Sequence, residues 1–494
     1  MSQSCFHRMP LVRCVLTVGL VATLMACSDG QNGNRNDDAG GVTTDRAATT
    51  TSSASSKPKP GTGAFASRCW SADVPPTSSS SPEATDLNGD GVLDVVVGAD
   101  GDAGVIAVDG KDGSVLWVAG RQNDVYTAAA FLDANGDGVD DVVMGGRSND
   151  LIAHDGTSGE ELWSLRRSLP DLPELWIGTA RTIPDLDGDG VRDVLAPQSG
   201  SQTDELRLGA IHVVSGATGE QLSVIPMPGD REIYSPPEVE ASVPLNEQSL
   251  IVGTGGETLP GGVTALRRQA DGTVNTEWSA DGTGVVAAPV RTTNPAGEQR
   301  IIAATWNGPV RMFDGTGKQL WESEDTSLSS AARPVLVADD DRPGGVVIAV
   351  QVNGDTYPPV GSDSVIVWLD ADTGATLHQV QLDGFSGADP VVFDVDGDGS
   401  QELIVAPVQI DREGKGSGQL LALDVVSGET KASAPLDGVT VSTPLIADLD
   451  GDGRAQLVYS NGAGLSCLQL AAAVEPGTIV RSYQGAKGPS AKPA

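Results

Sequence analysis

Basic residues, histidine, cysteine and long apolar runs are all scarce in this 494-residue chain, and each scarcity removes a class of function. Lysine and arginine number 31 against 67 acidic residues, which gives a net charge of −36 and a pI near 4.2. Such a surface repels nucleic acid and anionic lipid, so neither is expected as a partner. Beyond the leader only His154, His212 and His378 remain, in three different repeats, and each is expected to be a satisfied or exposed strand residue. There is no G-x-S-x-G elbow, no H-E-x-x-H helix and no Rossmann glycine signature. On these grounds the chain is expected to be a binder more than an enzyme. Helical periodicity is nearly absent; only LQLAAAVE, from Leu468, could form a turn or two of helix.

What is abundant is one nine-residue phrase, written five times before a β-rich run: DLNGDGVLD, DANGDGVDD, DLDGDGVRD, DVDGDGSQE and DLDGDGRAQ. Its best-kept positions are carboxylates and glycines rather than core residues, which points to a bound hard cation. Positions 1, 3, 5 and 9 offer side-chain oxygens and position 7 a carbonyl, while glycines at positions 4 and 6 let the backbone turn. The expected ligands are Asp86, Asn88, Asp90, Val92 and Asp94 in the first copy and Asp133, Asn135, Asp137, Val139 and Asp141 in the second. The third supplies Asp185, Asp187, Asp189, Val191 and Asp193, and the fourth Asp394, Asp396, Asp398, Ser400 and Glu402. The fifth offers Asp448, Asp450 and Asp452 but closes on Gln456, so it is either a weaker site or a turn relic. Four to five calcium ions are expected, since irregular loops with up to seven oxygens suit calcium better than octahedral magnesium.

An EF-hand would close at position 12 and enter a helix. Here the loops run into VVVGA, VVMGG and LIVAP, short β-branched segments that read as strands. Each unit continues through an apolar strand and a glycine hairpin to a last strand ending in Leu-Trp, as in GVIAVDGKDGSVLW and LIAHDGTSGEELW, whose tryptophan can cap a neighbouring layer. Eight such units begin near Thr85, Ala128, Arg181, Ala241, Ala287, Ala332, Ala388 and Ser442. The spacing suits a four-stranded sheet per unit, so the fold class is all-β, an eight-bladed β-propeller, with seven blades as the alternative count. The eighth unit lacks its Leu-Trp strand and FASRCW precedes the first, so the N-terminal strand is expected to close the last blade. Cys69 and Cys467 would then lie on paired strands, and a disulfide between them is expected.

The first 26 residues read as a signal peptide: Arg8 and Arg13 precede VLTVGLVATLMA, too short for a membrane span. Leu24-Met25-Ala26-Cys27 resembles the bacterial lipobox, with Cys27 as the lipidated residue; a plain secretory cut near Ala26 is the alternative. Residues 27–63 hold almost nothing to bury and read as a disordered tether, 64–475 as the propeller body and 476–494 as a tail. The body is expected to be monomeric and to meet the membrane only through the lipid, in the envelope and by resemblance at the outer membrane.

The acidic loops followed by hydrophobic strands resemble FG-GAP and VCBS repeats, the calcium-bearing repeats of integrin alpha propellers, and the DxxxGxxLW endings resemble quinoprotein-like blades. The resemblance implies a propeller with calcium loops on its rim, used for adhesion to a protein or glycan through insertions such as 164–181, 223–240 and 351–364. Units four and five depart from the pattern, and the sixth keeps only a degenerate set around Asp339 to Asp341. The alternatives are a periplasm-facing outer-membrane assembly scaffold, a calcium-dependent polysaccharide lyase, or a quinoprotein-like enzyme. The adjacent cysteines that commonly accompany the quinone are absent.

Overall fold

A computed structural model describes residues 64–480, except 78, 121–123, 147–149, 167–177, 200–208, 230, 257–259, 354–360, 411–414 and 476. The expected signal peptide, Cys27 and the tether lie outside the described residues, as do residues 167–177 and 354–360 of the expected insertions and most of the expected tail.

Eight antiparallel sheets follow one another along the chain, each giving one blade of a ring. Blade 1 shows the logic. Glu83–Thr85 is a three-residue innermost strand, followed by the acidic loop; Asp94–Gly98 and Val105–Val108 are buried throughout, and Val115–Ala119 forms the partly exposed outer strand. The two middle strands are continuous apolar runs because both their faces meet neighbouring sheets. Their core is therefore shared between blades: Val95, Val97, Ile106 and Val108 of blade 1 pack with Leu445, Ala447, Val458 and Leu465 of blade 8.

Closure follows the sequence expectation. Phe65–Ala72 pairs antiparallel with Gly464–Ala473, Phe65 opposite Leu470 and Ala72 opposite Leu465, and supplies the missing outer strand of blade 8. Three details differ. LQLAAAVE is not helical, since its first six residues belong to that same strand, where pairing on both sides outweighs a run of good helix formers. Ile479–Val480 adds to the same sheet beside Leu445–Ala447, so the body extends past residue 475. Blade 4 has three strands, and its innermost place is held by one bridge, Glu238 to Ile251, which moves its start back from Ala241.

The tryptophans act between blades. Each of Trp70, Trp117, Trp163 and Trp278 donates its indole N–H to a glycine carbonyl in the next blade's hairpin: Gly110, Gly156, Gly216 and Gly315, at 2.8, 2.8, 2.8 and 3.1 Å. Trp321 reaches Ala371 in the same way, and Trp368, moved one strand inward in blade 6, reaches Val425. Nearer the axis, residues two before the innermost strands link side chain to backbone around the ring. Arg333 N–H donates to Asp389 Oδ1, Asp389 N–H to Thr443 Oγ1, and Thr443 N–H to Ser81 Oγ of blade 1, at 2.7, 3.1 and 3.1 Å.

Candidate metal loops and an axial cavity

The repeated loops fold by satisfying their own amides with their own carboxylates. In the first, Asp86 accepts from Gly89 and Gly91 at 2.8 and 3.0 Å, Asn88 Oδ1 accepts from the Asp90 amide, and Asp90 from that of Val92. The Gly89 and Gly91 φ angles of 72° and 87° explain why glycine holds those places. The pattern recurs at Asp133, Asp185 and Asp394, and the amides of Val139, Val191 and Ser400 are held by Asp137, Asp189 and Asp398.

Position 9 is where the loop meets the core. Asp94, Asp141, Asp193 and Glu402 are all buried, and each accepts the amide of position 2 in its own loop. Burial disfavours their charged forms, pushing Asp94 and Asp193 up to about 6 and Glu402 to about 7, with Asp141 raised in the same direction. Neighbouring loop aspartates add to the shift at Asp94, Asp193 and Glu402. A bound cation would reverse this.

Three clusters bring acidic ligand atoms within 4.8 Å of one another: Asp185, Asp187 and Asp193; Asp394, Asp396 and Glu402; and Asp448, Asp450 and Asp452. Glu402 Oε1 and Asp448 Oδ1 are buried with no hydrogen-bond partner among the described residues, as expected of oxygens shaped to face an ion. The residues present thus fit a divalent cation. The first two loops carry Asn88 and Asn135 at position 3, so their donor sets mix amide and carboxylate oxygens.

The fifth loop is more than a turn relic, since its three aspartates converge. Gln456 keeps the structural half of the position-9 role: its Oε1 accepts the Leu449 amide at 2.7 Å, while Nε2 donates to Asp450 Oδ1 at 3.1 Å. That N–H occupies an oxygen that would otherwise face a cation. In blade 6 the Asp339–Asp341 segment is a tight hairpin, and Arg342 Nη1 sits 2.7 Å from Asp339 Oδ2, supplying the positive charge from the chain itself.

Cys69 and Cys467 come together as the pairing predicts, their thiols in hydrogen-bond contact across the closing strands. Both are free thiols in this structure, so the expected disulfide is not formed in it. The contact favours the Cys69 thiolate, while burial pushes Cys467 up. The histidines are strand residues: His154 Nδ1 lies 3.2 Å from the Gly159 carbonyl, His212 sits between Gln198 and Gln221, and His378 stacks on Trp368 at 4.3 Å with its Nε2 buried and without a hydrogen-bond partner among the described residues.

A second feature has no counterpart among the sequence motifs. A cavity of about 160 Å³ is bordered by residues of six successive blades, from Tyr126 and Thr127 in blade 2 to Asp389 in blade 7, which places it on the ring axis. Most of its lining precedes the innermost strands, whereas the acidic loops follow them. A three-residue strand such as Val391–Phe393 separates the two by roughly 10 Å. A partial signal is the residue before proline at five strand entries, Ser81, Ala288, Arg333, Asp389 and Thr443, of which Ala288 and Asp389 line the cavity.

Set beside known proteins, residues 101–227 match the FAM234A/B beta-propeller family. No curated protein matches this chain. Quinohemoprotein alcohol dehydrogenase from Comamonas testosteroni is similar at 14% identity and a TM-score of 0.56, covering 82% of this chain and 76% of that one. A europium-containing methanol dehydrogenase is similar at 14% identity and 0.52, covering 76% and 82%. BamB from Moraxella catarrhalis aligns at 16% identity and 0.48, covering 79% and 98%. The chain is an eight-bladed propeller that shares its fold with the two dehydrogenases, and the finer likeness to FG-GAP or VCBS repeats is not what these matches pick out.

These findings correct the expectation that the chain is a binder more than an enzyme. Its fold is one that carries dehydrogenase activity elsewhere, and it adds three clusters able to hold cations, so missing familiar motifs do not argue against catalysis. A quinone, however, does not fit what is present. No two cysteines are adjacent, and among the described residues the one charged side chain lining the axial cavity is the carboxylate of Asp389.

Proposed function

We propose that this chain is a calcium-stabilised propeller of the bacterial cell envelope that acts as an assembly scaffold, holding a protein or glycan partner on the face opposite its cation loops. The observation that carries the reading is the contrast between the two faces. One bears acidic loops and tight hairpins kept in a single register, with Gly156 N–H, for example, donating to Asp141 at 2.9 Å. The other meets the ends of the strands Glu161–Arg166, Gln221–Pro226 and Arg342–Asn353, from which the long, dissimilar segments within 164–181, 223–240 and 351–364 lead off in the sequence. Calcium is the ion that the loop chemistry favours, in four to five loops, and the resemblance to FG-GAP and VCBS repeats supports it. The lipobox-like Leu24–Cys27 supports a lipid anchor at the outer membrane, and a tether of residues 27–63 would span on the order of 30 Å.

Capture from envelope extracts with the full chain as bait, in calcium and in chelator, tests this reading. A discrete partner lost on exchanging the 164–181 or 351–364 segment supports it. Equal recovery by the exchanged variants overturns it.

Catalysis at the axis is the second reading, favoured by the cavity and its buried carboxylate Asp389. Its test is turnover of alcohols and sugars by the full chain with an artificial electron acceptor, compared with Asp389→Asn at matched thermal stability.

A further inference from the structure

We propose that the axial cavity is a binding site for a neutral, polyhydroxylated molecule the size of one sugar ring. A catalytic reading would use the same cavity, but sugar occupancy is tested by binding alone, so it stands or falls apart from turnover and from partner capture.

Size comes first. About 160 Å³ is just above the roughly 150 Å³ of an engineered cavity that holds benzene, which limits the ligand to a single ring that fills the space. The lining chemistry then narrows the class. The hydroxyl-bearing residues Tyr126, Thr127, Thr179, Ser199, Tyr234 and Ser235 line the space together with the apolar Ile233, Val286 and Ala288. A lining that mixes hydroxyl-bearing and small aliphatic residues matches a ring that carries both hydroxyls and C–H groups.

The second observation is an unmade bond. Ser235 is a lining residue only 4% exposed, and its Oγ, buried in the cavity wall, has no hydrogen-bond partner among the described residues. A buried hydroxyl left unpaired costs stability, so a group within the cavity is expected to meet it. Charge excludes acidic ligands. Among the described residues the lining carries Asp389 and no basic residue, and nearby Arg333 is buried with its Nη2 2.9 Å from Glu238 Oε2. Tyr234 is fixed in place, its hydroxyl donating to Glu232 Oε2 at 3.0 Å.

The experiment is calorimetry and thermal shift on the full chain with D-glucose, D-galactose and N-acetylglucosamine, against D-glucuronate of similar size. Saturable one-to-one binding of at least one neutral sugar is expected, with glucuronate weaker by about tenfold or more because its charge meets Asp389. Ala288→Leu should fill the space and abolish binding. Ser235→Ala, which removes the orphan hydroxyl without adding volume, should keep the fold and weaken binding by about fivefold, so the test survives if the leucine variant does not fold. Absence of saturable binding by every neutral sugar overturns the proposal. So does glucuronate binding as well as glucose, or Ser235→Ala leaving the affinity unchanged.

Discussion

Trp70 donates its indole N–H to the Gly110 carbonyl at 2.8 Å, and by that bond the first strand of the chain grips the hairpin of the first blade while completing the sheet of the last. The ring is thus locked by the same contact that joins its other blades. Trp70→Ala should cost ~3–5 kcal/mol through lost packing, and Trp70→Phe about 1–3 kcal/mol by leaving a buried carbonyl unpaired. Chemical denaturation measures both; a Phe variant as stable as the parent would remove the hydrogen bond from the account of closure.

The hairpin glycines carry the other half of this contact. Gly159 has a φ of 72°, and a Cβ placed there would lie 2.7 Å from the Trp117 ring. Gly159→Val should therefore destabilise by ~2–4 kcal/mol, combining backbone strain with overpacking. Protection of blade 2 amides against hydrogen exchange should fall first.

If the loops take calcium as proposed, it should raise stability by mass action, since the folded loops gather carboxylates that the unfolded chain keeps apart. Free calcium at a hundred times the dissociation constant is worth about 2.7 kcal/mol per site, so chelation should lower the melting temperature. Asp187→Ala should remove one ion from the native mass spectrum, and an unchanged count would contradict the assignment of that cluster. Gln456→Glu keeps the acceptor for the Leu449 amide and removes the N–H that occupies Asp450. It should tighten calcium binding at the fifth loop, read by titration calorimetry.

Under oxidising conditions Cys69 and Cys467 should join. Their contact is in place, and the favoured Cys69 thiolate is the attacking form. The bond would tie the two ends of the body and add up to about 6 kcal/mol on a chain-entropy basis. Peptide mapping without reductant should recover the linked pair, and the doubly substituted serine variant should melt lower than the oxidised protein. Equal melting of the oxidised and reduced forms would deny the link a stabilising role.

Acid should loosen the same closure. Arg68 on the N-terminal strand holds the Asp437 carboxyl below its usual range, aided by Ser466 and Tyr459. A carboxylate with a depressed folded pKa contributes stability above its unfolded value near 4, and that contribution is lost as pH falls through the folded value. The pair is partly exposed, so the effect is about 1 kcal/mol or less. Asp437→Asn should flatten this part of the stability profile between roughly pH 5 and 2, measured by urea denaturation. An identical profile in the variant would assign the acid loss elsewhere.

Local chemistry makes much of the fold legible in the sequence. The loop at Asp185 to Asp193 announces itself because its carboxylates and glycines act within nine residues, each amide finding an acceptor a few positions away. The blade count is readable because most sheets take their strands in chain order, and the need for a closing strand because the eighth unit lacks one. The degenerate Asp339–Asp341 segment shows its loss of ligands but not its replacement, since Arg342 takes the cation's place only once the hairpin folds. LQLAAAVE misleads because its composition favours helix while the two strands flanking it in space favour a sheet.

The sequence by itself therefore determined the repeat, the acidic loops and the all-β class, all of which depend on residues close together in the chain. Only the tertiary structure decided which partners meet across the ring. Tyr126, Ser235 and Asp389 come from blades far apart in sequence and border one cavity because eight similar sheets close on an axis. No local pattern encodes that meeting, which follows from the summed rotation between blades and the pairing of residues 65–72 with 464–473.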